Sequence, residues 1–249
     1  MRNIMLKMEY DASRYLGWQR LGEDSNKNTI SERLLSVLTE MTKESVELIV
    51  AERTEVGVHA YGQIVNFKTA STLSELEIKH YLNRYLPMDI AILEVKEQPE
   101  RFHCALNARS KTYVYRICIG DVPSVFDRKY TYYSFKTPDV EKMKEAAALL
   151  IGLHDFKNFS SVKKSKHTEK EVYDIQFYQD ALEILITIKA RDFLHNMTRI
   201  IIATLLDIGY GIRQKDEILL IFDKGSKATA SAPCDAKGLF LQEIEYLDM

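Results

Sequence analysis

Ala51-Glu52-Arg53-Thr54-Glu55-Val56-Gly57-Val58-His59-Ala60-Tyr61-Gly62-Gln63 is a polar stretch held between two apolar runs. The run Val46 to Val50 leads into it, and the alternating run Ile64 to Thr69 leads out. This pattern predicts two strands joined by a loop that carries Glu52, Arg53 and Glu55. Gly57 and Gly62 allow backbone angles that other residues resist. Two readings fit the stretch. It is a solvated connection with a few charges, or it is chemistry held on a loop between two rigid strands.

Working outward, Asn3 to Tyr10 sets Ile4, Leu6, Met8 and Tyr10 against Met5, Lys7 and Glu9, a strand pattern. A loop follows with Tyr15, Gly17 and Trp18, whose aromatics suit core packing or a nucleotide contact. Asn28 or Thr29 can cap a helix running to about Thr42, with Ile30, Leu34, Leu38 and Met41 on one face. Beyond the loop, Ser74 caps a second helix that ends at Leu86, because Pro87 cannot continue it. Asp89 to Val95 is a further strand. The order β, α, β, β, α, β then recurs. Ala108 to Ile119 is a long strand, and Pro138 and Asp139 open a helix to about Ile151. Val172 to Phe177 and Leu182 to Ala190 form a hairpin turned near Asp180. Phe193 to Ile208 is a helix stopped by Gly209. A short helix over Asp216 to Phe222 and a strand over Leu239 to Tyr246 complete the series. The expected fold class is α+β, with two ferredoxin-like (RRM-like) halves whose antiparallel sheets form a central cleft. The boundary falls near residues 98–107, giving halves of 1–105 and 106–249.

Composition narrows the function. Lys and Arg number 34 against 36 Asp and Glu, a net charge of -2. That argues against binding nucleic acid through a global field and leaves room for a local basic face. Residues 157–170 offer one, with Lys157, Lys163, Lys164, Lys166 and Lys170 against the single Glu169. This is either a solvated loop or an arm that contacts phosphates. Cys104, Cys118 and Cys234 lack paired or zinc-like spacing and suit a reducing, cytoplasmic compartment. Arg2 and Lys7 are not followed by the long apolar core of a signal peptide. The most apolar stretch, Ile200 to Ile208, is too short to span a membrane. The sequence has no glycine-rich phosphate loop, no paired His of a metalloprotease and no nucleophile elbow. The expectation is therefore no metal, nucleotide or redox cofactor.

Two further features bear on chemistry. Tyr113 and Tyr115 share one face of their strand, a placement that serves a core as readily as a site. Arg199 lies in a helix apolar on nearly all sides. Such an arginine needs an anion partner, or it reaches solvent from near the helix start.

Arg53-Thr54-x-x-Gly57-Val58-His59-Ala60 resembles the signature loop of the tRNA pseudouridine synthase A family. The similarity extends to Tyr10, Asp11, Gly17, Trp18 and Gln19, to Leu82-Asn83-x-x-Leu86-Pro87-x-Asp89-Ile90, and to Phe102-His103. It continues through Lys111-Thr112-Tyr113-x-Tyr115, Gly152-Leu153-His154-Asp155-Phe156, Phe193-Leu194-x-x-Met197-x-Arg199, Ala232-Pro233 and Gly238-Leu239. The resemblance implies that specific uridines in tRNA are isomerised to pseudouridine, with the anticodon stem-loop as the family's habit. It implies Glu55 at the catalytic carboxylate position, Tyr113 against the target base and Arg199 paired with the carboxylate. It also implies Arg53 at the stack vacated by the base, and a homodimer; for such a substrate the basic stretch read above would meet tRNA phosphates through Lys163, Lys164 and Lys166. The chain departs from the family at three points. Glu55 stands for the usual Asp, Glu52 for Gly and Ala105 for Arg. These departures define the alternative, a tRNA-binding paralogue with weakened or lost catalysis.

Overall fold

A computed structural model describes residues 1–19, 28–163, 167–223 and 225–247. The chain divides into two compact units, Met1–Arg109 with Phe240–Met249, and Ser110–Leu239.

The first unit is built on β1 (Arg2–Tyr10), α1 (Ile30–Thr42), β2 (Ile49–Val50), β3 (His59–Thr69), α2 (Glu75–Tyr85) and β4 (Ile90–Gln98). Strand β1 is antiparallel to both β3 and β4, so it is central. The other flank of β3 is shared. Strand β2 pairs at Asn66 and Val65, while the last strand runs parallel to β3 at His59 and Ala60. The helices form for local reasons. The Thr29 hydroxyl accepts the Glu32 amide to start α1, and Ile30, Leu34 and Leu38 bury one stripe at helical spacing. Ser74 and Glu77 make a reciprocal capping box at the start of α2. Helix α2 buries Ile78 and Leu82, and its Asn83 amide exchanges two hydrogen bonds with the backbone of Ile92 at 2.9 and 2.7 Å. That pair fixes the helix on β4.

The second unit contains β5 (Ala108–Cys118, from Ser110 onward), β6 (Tyr132–Tyr133), α3 (Val140–Ala147), β7 (Gly152–Asp155), β8 (Glu169–Gln179), β9 (Glu183–Ala190), α4 (Met197–Gly209) and α5 (Glu217–Phe222). Strand β9 lies between β5 and β8, antiparallel to both, and β7 pairs with β8. Helix α4 is buried nearly all round, as its apolar circumference predicts, and packs against α3. Each fully buried Ile or Leu here contributes about 1.5–3 kcal/mol. Strand β10 (Leu239–Tyr246) starts at the end of this unit and runs into the first.

The structure shifts several expected boundaries, and the strand expected over Val46 to Val50 is reduced to Ile49–Val50. Strand β3 begins at His59, not Ile64, so the last five residues of the polar stretch, His59 to Gln63, are strand rather than loop. Helix α4 begins at Met197, not Phe193, because Asn196 takes a left-handed backbone (φ 60°) that ends any helix running through it. The helix from Val140 is α-helical only to Ala147 and tightens into a 3-10 turn over Ala148–Leu150. Gly57 has the positive φ (77°) that its place in the loop suggested. Gly62 is needed for a different reason: a Cβ there would lie 2.7 Å from the carbonyl oxygen of Gln242 on β10.

Candidate active site

In the first unit the remaining loop runs from Ala51 to Val58, and its root is tied down on several sides. The Ala51 amide donates to the Ile64 carbonyl at 2.9 Å, and the Val58 amide to the Glu55 carbonyl at 3.1 Å. Thr54 is buried, with its hydroxyl 2.7 Å from the Tyr10 hydroxyl. The Gln63 side-chain amide donates to the Glu52 carbonyl at 2.7 Å and to Tyr10 at 3.2 Å. Burial pushes the Tyr10 phenol well above its ordinary range, against the pull of its hydrogen bonds to Thr54 and Gln63, so it stays neutral. The Trp18 amide reaches the Thr54 carbonyl at 3.0 Å, and Gly17 packs so closely that a Cβ would lie 3.0 Å from that same oxygen. A buried frame of Tyr10, Trp18, Thr54 and Gln63 thus holds the backbone. It leaves Arg53 exposed and Glu55 half-buried on the next turns of chain.

The strand that follows carries a stack of rings. His59 and Tyr61 face the same side of β3, and Phe240 of β10 stacks on both, at 4.7 Å and 4.6 Å between centroids. The His59 ring is buried and its Nδ1 accepts the Ala12 amide at 3.1 Å. The His of the quoted stretch is therefore part of the packing between strands.

In the second unit Tyr113 is buried on β5, and its ring stands perpendicular (88°) to Phe193 at 5.1 Å. Tyr115, two residues on, is wholly buried and donates to the Asp235 carbonyl at 2.9 Å. Arg199 sits in the first turn of α4, half-buried. Its Nε donates to the Cys234 carbonyl at 2.7 Å, and its Nη1 to the Asn196 side-chain oxygen at 3.0 Å. Asn196 in turn donates to the Ser161 hydroxyl at 2.8 Å. Arg199 therefore ties the chain before α4 to the segment around Cys234. Burial pushes the Cys234 thiol up to about 12, against the pull of Tyr115 and Arg199, so it is a neutral packed group.

Arg53 and Glu55 share the first unit, while Tyr113, Arg199 and Lys163 belong to the second. Lys163 is exposed in the connection before β8; Lys164 and Lys166 lie outside the described residues. Among the described residues no group of three or more His, Cys, Asp or Glu is arranged to hold a metal ion. None of their helices is long and apolar enough to cross a membrane. Sequence reading passed over the Tyr10–Thr54–Gln63 frame and the acid Asp192. Gln63 gave no pattern to find. Asp192, a lone carboxylate just past the alternating run that ends at Ala190, gave a faint one.

Residues 8–107 and 146–247 match the model of a protein family described as tRNA pseudouridine synthase. The first stretch contains Arg53 and Glu55 and the second Lys163 and Arg199; Tyr113 falls between them. The chain is 39% identical over 247 residues to tRNA pseudouridine synthase A 2 of Bacillus anthracis, covering 99% of this chain and 100% of the relative. It is 40% identical over 249 residues to the protein of the same name from Clostridium tetani, covering 98% of this chain and 99% of that one. A tRNA pseudouridine synthase A of a Bacillus species is 38% identical over 247 residues, covering 99% and 100%.

Proposed function

Because the chain belongs to the tRNA pseudouridine synthase family, we propose that it isomerises specific uridines of tRNA to pseudouridine, with the anticodon stem-loop as its target. The observation that carries this is the end-to-end similarity to relatives of that name, 39% over 99% of this chain and 100% of theirs.

In the reaction the bond from ribose C1′ to N1 of the base breaks and one from C1′ to C5 forms. The C5 proton leaves and N1 gains one, so the atoms balance and no redox cofactor is called for. A uracil paired or stacked in a tRNA arm must first be drawn out of the stack. In our reading the exposed guanidinium of Arg53 fills the place it leaves. The Glu55 carboxylate assists cleavage of the glycosidic bond, as nucleophile or as the charge that steadies an electron-poor sugar. Tyr113 lies against the base and relays the C5 proton. Arg199 keeps the carboxylate ionised and aimed. Lys163, Lys164 and Lys166 contact phosphates. What supports the roles of Arg53, Glu55, Tyr113 and Arg199 is the agreement of each residue with its place in the family's motifs; what supports the lysines is their clustering in one basic stretch.

The same reading takes each unit as a ferredoxin-like half. Its support in the first unit is the run β1, α1, β2, β3, α2, β4 with β1 between β3 and β4 and β2 beyond β3. A cytoplasmic location, supported by three cysteines without paired spacing, and a homodimer, supported by the resemblance alone, complete the proposal.

The test is to incubate purified protein with unmodified tRNA transcripts and map pseudouridine nucleotide by nucleotide. Product in the anticodon stem-loop is expected, and none from a Glu55→Ala variant that still binds tRNA. If the wild type binds tRNA but leaves every transcript unmodified, the protein is a binding module.

A further inference from the structure

Asp192 stands just beyond the end of β9, the strand flanked by β5 and β8. Each flanking strand sends it a lysine. Lys111 Nζ of β5 lies 2.7 Å from Oδ1, and Lys170 Nζ of β8 lies 3.0 Å from Oδ2. Lys111 is buried, and it is paired in register with Ala190, two residues before Asp192. The Arg191 amide donates to the Glu171 carbonyl at 3.0 Å, so the ladder holds up to the residue before the acid. The strand ends at Ala190, and the residue after Asp192 is Phe193, whose ring meets Tyr113 at 88° and 5.1 Å. Tyr113 is itself two residues from Lys111 on the same face of β5. A closed circuit results: Tyr113, Lys111, Asp192, Phe193 and back to Tyr113.

We propose that Asp192 is a positioning residue for Tyr113: gripped by a lysine from each neighbouring strand, it fixes where the chain turns out of β9 and so seats Phe193 against the Tyr113 ring. The inference rests on the reading that Tyr113 meets the target base. An edge-to-face contact constrains a ring's tilt, and a tilt error at a group that must touch the base is the kind of displacement catalysis feels. The charges support the same view. Burial alone would raise the Asp192 carboxyl, yet Lys111 and Lys170 outweigh it and hold the group below the usual aspartate range. The grip is therefore made by a carboxylate at neutral pH.

A plainer role is that Asp192 merely neutralises the buried Lys111. Removing the acid alone would strand that lysine and could unfold the unit. The informative variant is therefore Lys111→Met/Asp192→Asn, which removes both charges at similar volume. The full chain is labelled with 3-fluorotyrosine, and the Tyr113 resonance is assigned with Tyr113→Phe. Phe193→Leu marks the shift seen when the neighbouring ring is lost. The expected result is a Tyr113 resonance displaced toward the Phe193→Leu position in the double variant. Pseudouridine formation should fall in kcat by about 10- to 100-fold, with KM for tRNA changed by less than about twofold. An unmoved resonance overturns the proposal, as does a moved resonance with unchanged kcat or a loss confined to KM. Should the wild type be inactive on every tRNA, the functional reading fails separately. The resonance alone then decides whether Asp192 anchors Phe193: moved supports it, unmoved overturns it.

Discussion

Glu carries one more methylene than Asp, so from the same backbone the oxygens of Glu55 reach roughly a bond length, about 1.5 Å, further. The frame beneath the loop leaves little slack to absorb that difference. Thr54 is bonded through its hydroxyl to Tyr10 and through its carbonyl to the Trp18 amide, and a Cβ on Gly17 would lie only 3.0–3.2 Å from the backbone of residues 54–56. A misplacement of about 1 Å can cost on the order of a hundredfold in rate. Glu55→Asp is therefore expected to raise kcat for pseudouridine formation, and Glu55→Ala to abolish it while tRNA binding persists. Single-turnover assays beside a filter-binding titration would check both. A slower Asp variant would mean that the loop is built around Glu and that the longer arm is an adaptation.

At the scale of elements, what could be read in the sequence was what local chemistry fixes. The Ile30–Leu34–Leu38 stripe, the Ser74 capping box and the alternation of Ile184, Ile186 and Ile188 each announce their element within a few residues. Strands β6 and β7, of two and four residues, are too short to show an alternation. They exist because neighbouring strands offer backbone partners. The start of α4 reads too early in the sequence because Phe193 and Leu194 continue the apolar pattern, while Asn196, at the backbone turn, is held by Ser161 from 35 residues away and by Arg199 in the next turn. In the site, motif agreement pointed to the exposed Arg53 and the half-buried Glu55 and Arg199. It could not reveal that Arg199 holds the Cys234 carbonyl, which is 35 residues distant. Two predictions belong here. Gly62→Ala puts a Cβ against the backbone of Gln242 at 2.7 Å, which cannot swing aside. It should cost about 1–3 kcal/mol of stability, read in urea by the fluorescence of Trp18, the chain's single tryptophan and a core residue of the first unit. The second concerns the β8–β9 turn, where Asp180 accepts the Leu182 and Glu183 amides, each at 2.8 Å. Those bonds lower its pKa. With the folded value below the unfolded one, its contribution is complete above about pH 4 and is lost as pH falls through the depressed value. The stability gap between wild type and Asp180→Ala should be flat from neutral pH down to that point and then narrow, as acid titrations of urea midpoints would show.

For the molecule as a whole, a net charge of -2 leaves any grip on tRNA to local patches. Replacing Lys163, Lys164 and Lys166 with Ala should flatten the plot of log affinity against log salt by about 0.9 per lysine that meets a phosphate. An unchanged slope would take the arm out of the RNA-binding surface. The path of β10 bears on how the chain is made. The second unit is one unbroken segment, Ser110–Leu239, whereas the first lacks the strand beside His59 and Ala60, and the Phe240 ring stacked on His59 and Tyr61, until the residues from Phe240 onward arrive. On the ribosome the usual order, earlier-made part first, is thus inverted. A nascent chain arrested once Leu239 has left the exit tunnel should carry a protease-resistant second unit and a first unit still open to digestion. Its bare β3 edge would be a surface for chaperones to cover during translation.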